Sequence, residues 1–309
     1  MLDVHQLNVF LVAADTLNFT RAARQLHLSQ PSVSQHIQSL EQSLGQQLFI
    51  RSGRRIELTD AGHQLVPLAR DMVERSVELE ETMKSLEGEV YGHLRVGCST
   101  TPGKYILPQL LASFHQRYPL VRMSCQVTPQ RQAIEMLCEG QVHIAMVSEP
   151  HLTCTTAETR RFMVDPVHLI VPLDHPWAQR PEIALEELTE GTFILREEDS
   201  GTYRAVADGL ADHGINTREL RTLLTLGSSE AIALAVQEGI GVGFVSQIVI
   251  ARLVAGQVAV VPVRGLEIFR EIHIGCQTRK PTTAAQRAFW QYIDEVIDAR
   301  TAESLAAGR

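Results

Sequence analysis

The first sixty residues alternate apolar and polar positions with the period of a helix. Leu7, Phe10, Leu11 and Ala14 stand at i, i+3, i+4 and i+7, which predicts one amphipathic helix over Val4 to Leu17. Asn18-Phe19-Thr20 interrupts the stripe, and Thr20 is a candidate cap for a short second helix carrying Ala22, Ala23 and Leu26. Ser29 precedes a third helix with Pro31 in its first turn, where a missing N–H costs nothing. Val33, Ile37, Leu40 and Leu44 form its apolar stripe, and Gly45 is a fitting terminator. Phe49 to Leu58 then reads as a hairpin with its tip at Ser52-Gly53. Three small helices and a basic hairpin predict a winged helix-turn-helix over residues 1–58.

Thr59 opens a long helix, roughly Asp60 to Glu87, within a linker of residues 59–88. Leu65, Met72, Leu79 and Leu86 recur every seven residues, with Leu68 and Met83 beside them and Arg75 and Ser76 between them. That spacing predicts a seam for pairing between two chains. Beyond Gly88 the pattern becomes α/β, as a domain of residues 89–309. Strands are expected at Leu94–Ser99, Arg122–Val127, Val142–Val147, His168–Val171, Phe193–Leu195, Leu223–Leu226, Val242–Val245, Val258–Val263 and Glu271–Cys276. Helices alternate with them, one running unbroken from Pro102 to Tyr118 and the last from Thr283 to Ala299. Such alternation predicts parallel sheets.

Composition narrows the function. The chain has 309 residues, 44% of them hydrophobic and 21% charged, which is globular. No window approaches the ~18 consecutive apolar residues of a membrane helix. The start, Met1 to Gln6, lacks a basic segment followed by an apolar one, so a cytoplasmic protein without membrane contact is expected. A net charge of −8 argues against coating nucleic acid over the whole surface but leaves room for a local binding face. The cysteines Cys98, Cys125, Cys138, Cys154 and Cys276 form no CxxC pair or zinc spacing, which predicts buried thiols rather than a redox switch. No GxSxG, HExxH or P-loop occurs, and Gly239-Ile240-Gly241-Val242-Gly243 leads into a strand rather than out of one. No enzyme, metal site or cofactor is expected.

The residues from Phe19 to Ile37 carry the strongest chemistry. Two short helices joined by a tight turn present the second to the DNA major groove. Its apolar stripe faces inward, which leaves Gln30, Ser32, Ser34, Gln35 and Gln38 outside. Glutamine can pair with adenine, and serine reaches a base or a phosphate. Thr20, Arg21, Ser29 and Pro31 flank that face. Arg51, Arg54 and Arg55 on the hairpin suit backbone or minor-groove contact. Residues 1–60 nevertheless hold five arginines, no lysine and five acids, so the affinity of one domain for phosphate should be modest.

The run AARQLHLSQPSVSQHIQSLE followed by LGQQLF and Arg51 resembles the DNA-binding domain of LysR-type transcriptional regulators over residues 5–66. The resemblance in organisation extends along the whole chain. It implies a homodimer or homotetramer on imperfect palindromic promoter sites in double-stranded DNA, with RNA polymerase as a further candidate partner. It also implies a C-terminal domain like periplasmic binding proteins, in which two α/β subdomains flank a small-molecule cleft. Subdomain I would take about 91–162 and 267–309, and subdomain II about 163–266, with crossings near Arg161–Asp165 and Arg264–Phe269. A solute-binding protein without a transcriptional role is the alternative, and it leaves the N-terminal DNA reader unexplained.

Helix starts with exposed N–H groups favour anions. Ser99-Thr100-Thr101 with Lys104, Ser200-Gly201-Thr202, and Gly227-Ser228-Ser229 are three such turns, and together they predict an anionic effector. Capping is the plain alternative at each. The family resemblance adds Ser148, Glu149 and Pro150 to the cleft. The phrase STTPGKYILPQLLASFHQRYP is similar to regulators of Calvin-cycle genes, bicarbonate uptake and assimilatory sulfur metabolism. Glu197-Glu198-Asp199, just before the second turn, reads as a solvated loop.

Overall fold

Asp3, Asn18 and Ser29 each accept backbone N–H groups at a helix start, and these caps set the boundaries of α1 (Val4–Thr16), α2 (Phe19–Gln25) and α3 (Gln30–Leu44). Asn18, not Thr20, is the cap of α2: its side chain accepts from the N–H groups of Thr20 and Arg21, both in the first turn of the helix. Asparagine is at least as good an acceptor here as threonine, and it comes first in the chain. Gly45 ends α3 in the left-handed region, φ +67°, where a side chain would be strained. The structure, a computed structural model, describes residues 1–52, 55–85, 89–148, 155–278 and 282–307. They divide into two units, Met1–Glu89 and Val90–Arg309.

In the first unit, β1 (Phe49–Ser52) pairs antiparallel with β2 (Arg55–Leu58), and Ser52 lies opposite Arg55. The expected tip residues Gly53 and Arg54 lie outside the described residues. Glu41 of α3 ties the strand to the helices, its Oε1 accepting from the Leu48 and Phe49 N–H groups at 2.8 and 3.3 Å. Phe49 then packs on Phe10 and Phe19, with ring centroids 5.6 and 5.3 Å apart. The long helix α4 (Asp60–Ser85) is part of the same unit. Its first turn leans so closely on the chain before β1 that a Cβ on Gly62 would meet the Leu48 carbonyl oxygen at 2.3 Å. Leu65, Val66, Ala69 and Val73 pack into the core around Phe10, so Leu65 leaves the seven-residue seam it was expected to share. Leu68, Met72, Leu79 and Met83 remain exposed as an apolar face, and Leu86 lies outside the described residues.

The second unit is built on one nine-stranded sheet in the order β4-β3-β5-β11-β6-β9-β7-β8, with β10 beside β6. One end holds β3 (Gly92–Cys98), β4 (Val121–Val127) and β5 (Ile144–Val147), parallel to one another. The other holds β7 (Thr192–Arg196), β8 (Arg221–Leu226) and β9 (Val242–Ser246), also parallel. The centre departs from the expected parallel arrangement. β6 (Ala157–Val171) and β11 (Ile268–Gln277) run antiparallel and join both ends into one sheet, and β10 (Ala259–Val261) pairs antiparallel with β6. β6 is far longer than the short strand at His168–Val171 because its polar first half, Ala157 to Asp165, hides the strand pattern.

Helices cover both faces, which is why β5 and β9 are wholly buried, near-continuous apolar runs. The expected single helix from Pro102 to Tyr118 is two, α5 (Thr100–Tyr105) and α6 (Leu107–Arg117). Pro108 has no N–H to continue the ladder and therefore begins a new helix at its first turn. Four helices follow: α7 (Gln130–Cys138), α8 (Gly201–Ala211), α9 (Ser229–Gln237) and α10 (Gln247–Leu253). The chain closes with α11 (Ala284–Ala307), a helix longer than its periodicity suggested. Among the described residues no helix is long and apolar enough to cross a membrane. Among the described residues the buried free thiols are Cys98 and Cys276: Cys125 is exposed and Cys138 is disulfide-bonded, and Cys154 lies outside the described residues.

Candidate functional site

The first unit turns one face of α3 outward. Val33, Ile37 and Leu40 are buried, while Gln30, Pro31, Gln35 and Gln38 are exposed, and Ser32 and Ser34 are half-buried between the two faces. Ser29 is spent on the cap, accepting from the Ser32 N–H at 3.3 Å. Gln30 Nε2 donates to Ser34 Oγ at 2.9 Å, so the two candidate reading residues are already aligned one turn apart. Thr20 and Arg21 are exposed in the first turn of α2. Arg51 and Arg55 lie on the paired strands of the wing, and Arg54 is outside the described residues.

In the second unit a cleft of about 240 Å³ opens where α5, α7 and α8 begin. Ser99, Thr100, Thr101 and Ser148 line one wall, and Ser200, Gly201 and Thr202 the other. The walls touch: a Cβ on Gly201 would lie 2.4 Å from the Ser148 Cβ. Glu149 and Pro150 are outside the described residues. Ser228 does not line the cleft; it caps α9, accepting from the Ala231 N–H, and donates to Glu230. Lys104 is likewise engaged elsewhere, its Nζ 3.4 Å from Glu230 Oε1.

Capping accounts for some of these hydroxyls and not for others. Ser200 caps α8 through the Tyr203 N–H at 3.0 Å. Ser99, in the equivalent place before α5, makes no such bond. Thr101, in the first turn of α5, is buried and lines the cleft. Thr202 accepts from Arg270 Nη1 at 2.9 Å, which makes it part of a buried network rather than a cap.

Several cleft residues were not picked out in the sequence. Gln130, at the start of α7, accepts from the Ser148 N–H through Oε1 at 3.0 Å, while its buried Nε2 has no partner among the described residues. Arg196, at the end of β7, is buried and gripped by Glu197 through two bonds of 2.8 and 2.7 Å, with a third bond to Ser229. Burial works against the Glu197 charge, yet the Arg196 bonds hold its carboxyl below the usual range. Glu197 therefore belongs to the cleft wall rather than to a solvated loop, while Glu198 and Asp199 are exposed as expected, Asp199 at the rim of the cleft. Arg270 forms the floor. Its Nε and Nη2 donate to Asp165 Oδ2 at 2.8 and 2.6 Å, and Ser246 Oγ donates to the same oxygen at 2.5 Å.

Each cleft arginine is thus matched by a carboxylate. What the site offers a ligand is a set of neutral donors, Ser99, Thr100, Thr101 and the Gln130 amide, with positive charge held behind them. Among the described residues no group of three or more His, Cys, Asp or Glu side chains could hold a metal ion. Asp165→Ala should strand Arg270 as an unpaired buried charge and destabilise the second unit by about 3–5 kcal/mol. Urea unfolding checks this, and a loss under 1 kcal/mol would mean water reaches the pair.

Residues 4–63 match the family model described as a bacterial regulatory helix-turn-helix protein of the lysR family, and residues 87–298 match the LysR substrate binding domain. An HTH-type transcriptional regulator of Methanocaldococcus jannaschii is 32% identical over 95% of this chain and 99% of its own. A RuBisCO operon transcriptional regulator of Allochromatium vinosum is 32% identical over 94% of this chain and 95% of its own. The Synechocystis CcmR regulatory domain, solved in complex with 2-PG, superposes with a TM-score of 0.60 at 29% identity, covering 67% of this chain and 97% of that one. The chain belongs to the LysR family of transcriptional regulators, which are transcription factors and not enzymes. It is a DNA-binding regulator with a C-terminal effector-binding domain that alters promoter binding.

Proposed function

We propose that this LysR-type regulator responds to a small anionic metabolite held in the cleft by Ser99, Thr100, Thr101, Gln130 and Thr202. The observation that carries the reading is the buried Gln130 Nε2, without a hydrogen-bond partner among the described residues, on a side chain that lines the cleft together with Ser99, Thr100 and Thr101. A buried donor left unmade costs about 1–3 kcal/mol, and an anion would recover it. The cleft volume suits a ligand of only a few carbon atoms. A relative named for the RuBisCO operon and the 2-PG complex of CcmR support a small acidic metabolite as effector and carbon-assimilation genes as targets.

The same reading gives α3 the work of base recognition, through Gln30, Ser32, Ser34, Gln35 and Gln38, with Thr20, Arg21, Arg51, Arg54 and Arg55 on phosphates. It places Leu68, Met72, Leu79 and Met83 against a second copy in a dimer or tetramer, since a lone chain would leave that apolar face in water. On an imperfect palindrome the paired chains would reach RNA polymerase beside them.

Thr101→Val keeps the shape of the site and removes one hydroxyl that lines the cleft. It should leave DNA affinity without ligand near wild type and weaken the response to the effector by about 0.5–1.5 kcal/mol, or more if the bond is to a charged group. Thermal melts against inorganic phosphate, sulfate and small carboxylates measure it; an anion-induced shift unchanged by the mutation would end the reading. Thr202→Val is a poorer probe, because it also frees Arg270. At the DNA face, Gln30→Ala with Ser34→Ala should cost about 1–3 kcal/mol per lost base pair contact while non-specific binding stays. Retained sequence specificity in a titration against matched and scrambled duplexes would remove α3 from base recognition. Met72→Glu should shift sedimentation toward the monomer without lowering the melting temperature, and an unchanged assembly would place the interface elsewhere.

A further inference from the structure

Cys98 and Cys125 sit on the adjacent parallel strands β3 and β4, with Val96 opposite Cys125 and Cys98 opposite Val127. Their Sγ atoms are 3.5 Å apart. Cys98 is fully buried in the core and Cys125 is an exposed residue of the edge strand β4, so one cysteine stands at the surface with the other beside it in the core. The spacing is close to the ~3.8 Å edge of a tetrahedral zinc–thiolate site with ~2.3 Å bonds, but among the described residues no third metal-ligating side chain joins the pair. It suits sulfur–sulfur bond formation with a small backbone adjustment: the sulfurs close by about 1.5 Å to the ~2.05 Å of a disulfide, and the two positions, diagonal in the register and so about 7–8 Å apart at Cα, draw together to under about 7 Å.

The two thiols are also electronically unequal. The Cys98–Cys125 hydrogen bond is the main cause in both directions: it pushes the Cys98 thiol up, with burial adding to it, and pulls Cys125 down against burial. The exposed sulfur is therefore the better thiolate and the buried one its proton-bearing neighbour, the division of labour that makes an attacking and a resolving cysteine.

We propose that Cys98 and Cys125 form a reversible dithiol–disulfide site that adjusts the effector cleft. The Cys125 thiolate attacks a peroxide oxygen, the O–O bond breaks, and Cys125 becomes a sulfenic acid as hydroxide leaves. The Cys98 sulfur then displaces that hydroxyl, and its proton leaves with it as water. The two cysteines are oxidised by two electrons and the peroxide is reduced; a dithiol reverses the step. The consequence reaches the cleft because Cys98 directly precedes Ser99, and because the sulfur packs on α5: a Cβ on Gly103 would lie 2.6 Å from Cys98 Sγ. Drawing that sulfur toward β4 shifts the turn that carries Ser99, Thr100 and Thr101.

The test uses the full chain, treated with limiting hydrogen peroxide, alkylated, digested without reductant and mapped by mass. A linked Cys98–Cys125 peptide, lost on dithiothreitol treatment, is expected. Cys98→Ser should instead trap a Cys125 sulfenic acid that reacts with dimedone, and Cys125→Ser should abolish the fast phase of thiol labelling. Cys125 stopping at sulfenic or sulfinic acid in the wild type, with Cys98 still alkylatable, would overturn the site. The link to the cleft is read separately, as the phosphate-induced melting shift of oxidised and reduced wild type, with Cys125→Ser as the unresponsive control. If that shift is present and identical in both redox states, the disulfide does not act on the cleft. If phosphate gives no shift in either state, the coupling is read from promoter-duplex affinity, where equal values for oxidised and reduced protein again overturn it.

Discussion

Asp165 has no exposed surface, and one of its oxygens receives the Arg270 guanidinium twice and the Ser246 hydroxyl once. The pair lies where β6 and β11, the two strands that cross between the ends of the sheet, stand opposite each other: Asp165 faces Arg270 in their register. Burying two charges costs several kcal/mol per ion, and the cost is repaid only when the geometry satisfies them. Arg270 is satisfied on both sides, by Asp165 and by Thr202 at the start of α8, while Asp165 is satisfied at Oδ2 and its buried Oδ1 has no partner among the described residues. A single ion pair therefore fixes the crossing strands, the end of β9 and the first turn of α8, which together set the shape of the cleft floor.

The rest of the cleft follows from what that floor permits. Because Arg270 is committed to Asp165, and Arg196 to Glu197, a ligand does not meet bare positive charge. It meets hydroxyls and one amide, oriented by helix starts, with the exposed Asp199 carboxylate at the rim. Such donors select by direction, and they do so with less desolvation cost than a free guanidinium would carry. The Lys104–Glu230 contact joins α5 to α9 beside this space, so a ligand that prefers one setting of the walls can shift them only by the difference in its affinity for the two settings.

How much of this was legible in the sequence depended on how local each cause is. The stripe of Val33, Ile37 and Leu40, the Ser29 cap and the Gly45 stop each act within a few residues, and the structure has them where the periodicity put them. The Ser99 and Ser200 turns were visible for the same reason. Gln130, Arg196 and Arg270 were not, because nothing near them in the chain marks them out. Arg270 reads as an ordinary charged position in an alternating strand until the antiparallel register with β6 sets Asp165 against it, more than a hundred residues away. The Ser228 turn erred the other way: it has the right local chemistry, but the fold turns it toward Glu230 and away from the cleft.

The DNA-binding unit shows a different economy. Within residues 1–60 its five arginines are offset by five acids, so one copy gains little from releasing counterions from the duplex. Glu41, one of those acids, is held by the Leu48 and Phe49 N–H groups and keeps α3 fixed to the wing, a duty that a basic residue could not perform. Structural need thus limits how basic the domain can become. The exposed apolar side of α4 offers the compensation: joining two copies makes the second DNA contact intramolecular, and effective concentration then supplies affinity that charge does not. Weak single domains have a further merit for a regulator, since the complex on DNA then depends steeply on how well both copies fit at once, and a modest change in the effector domain is enough to alter it.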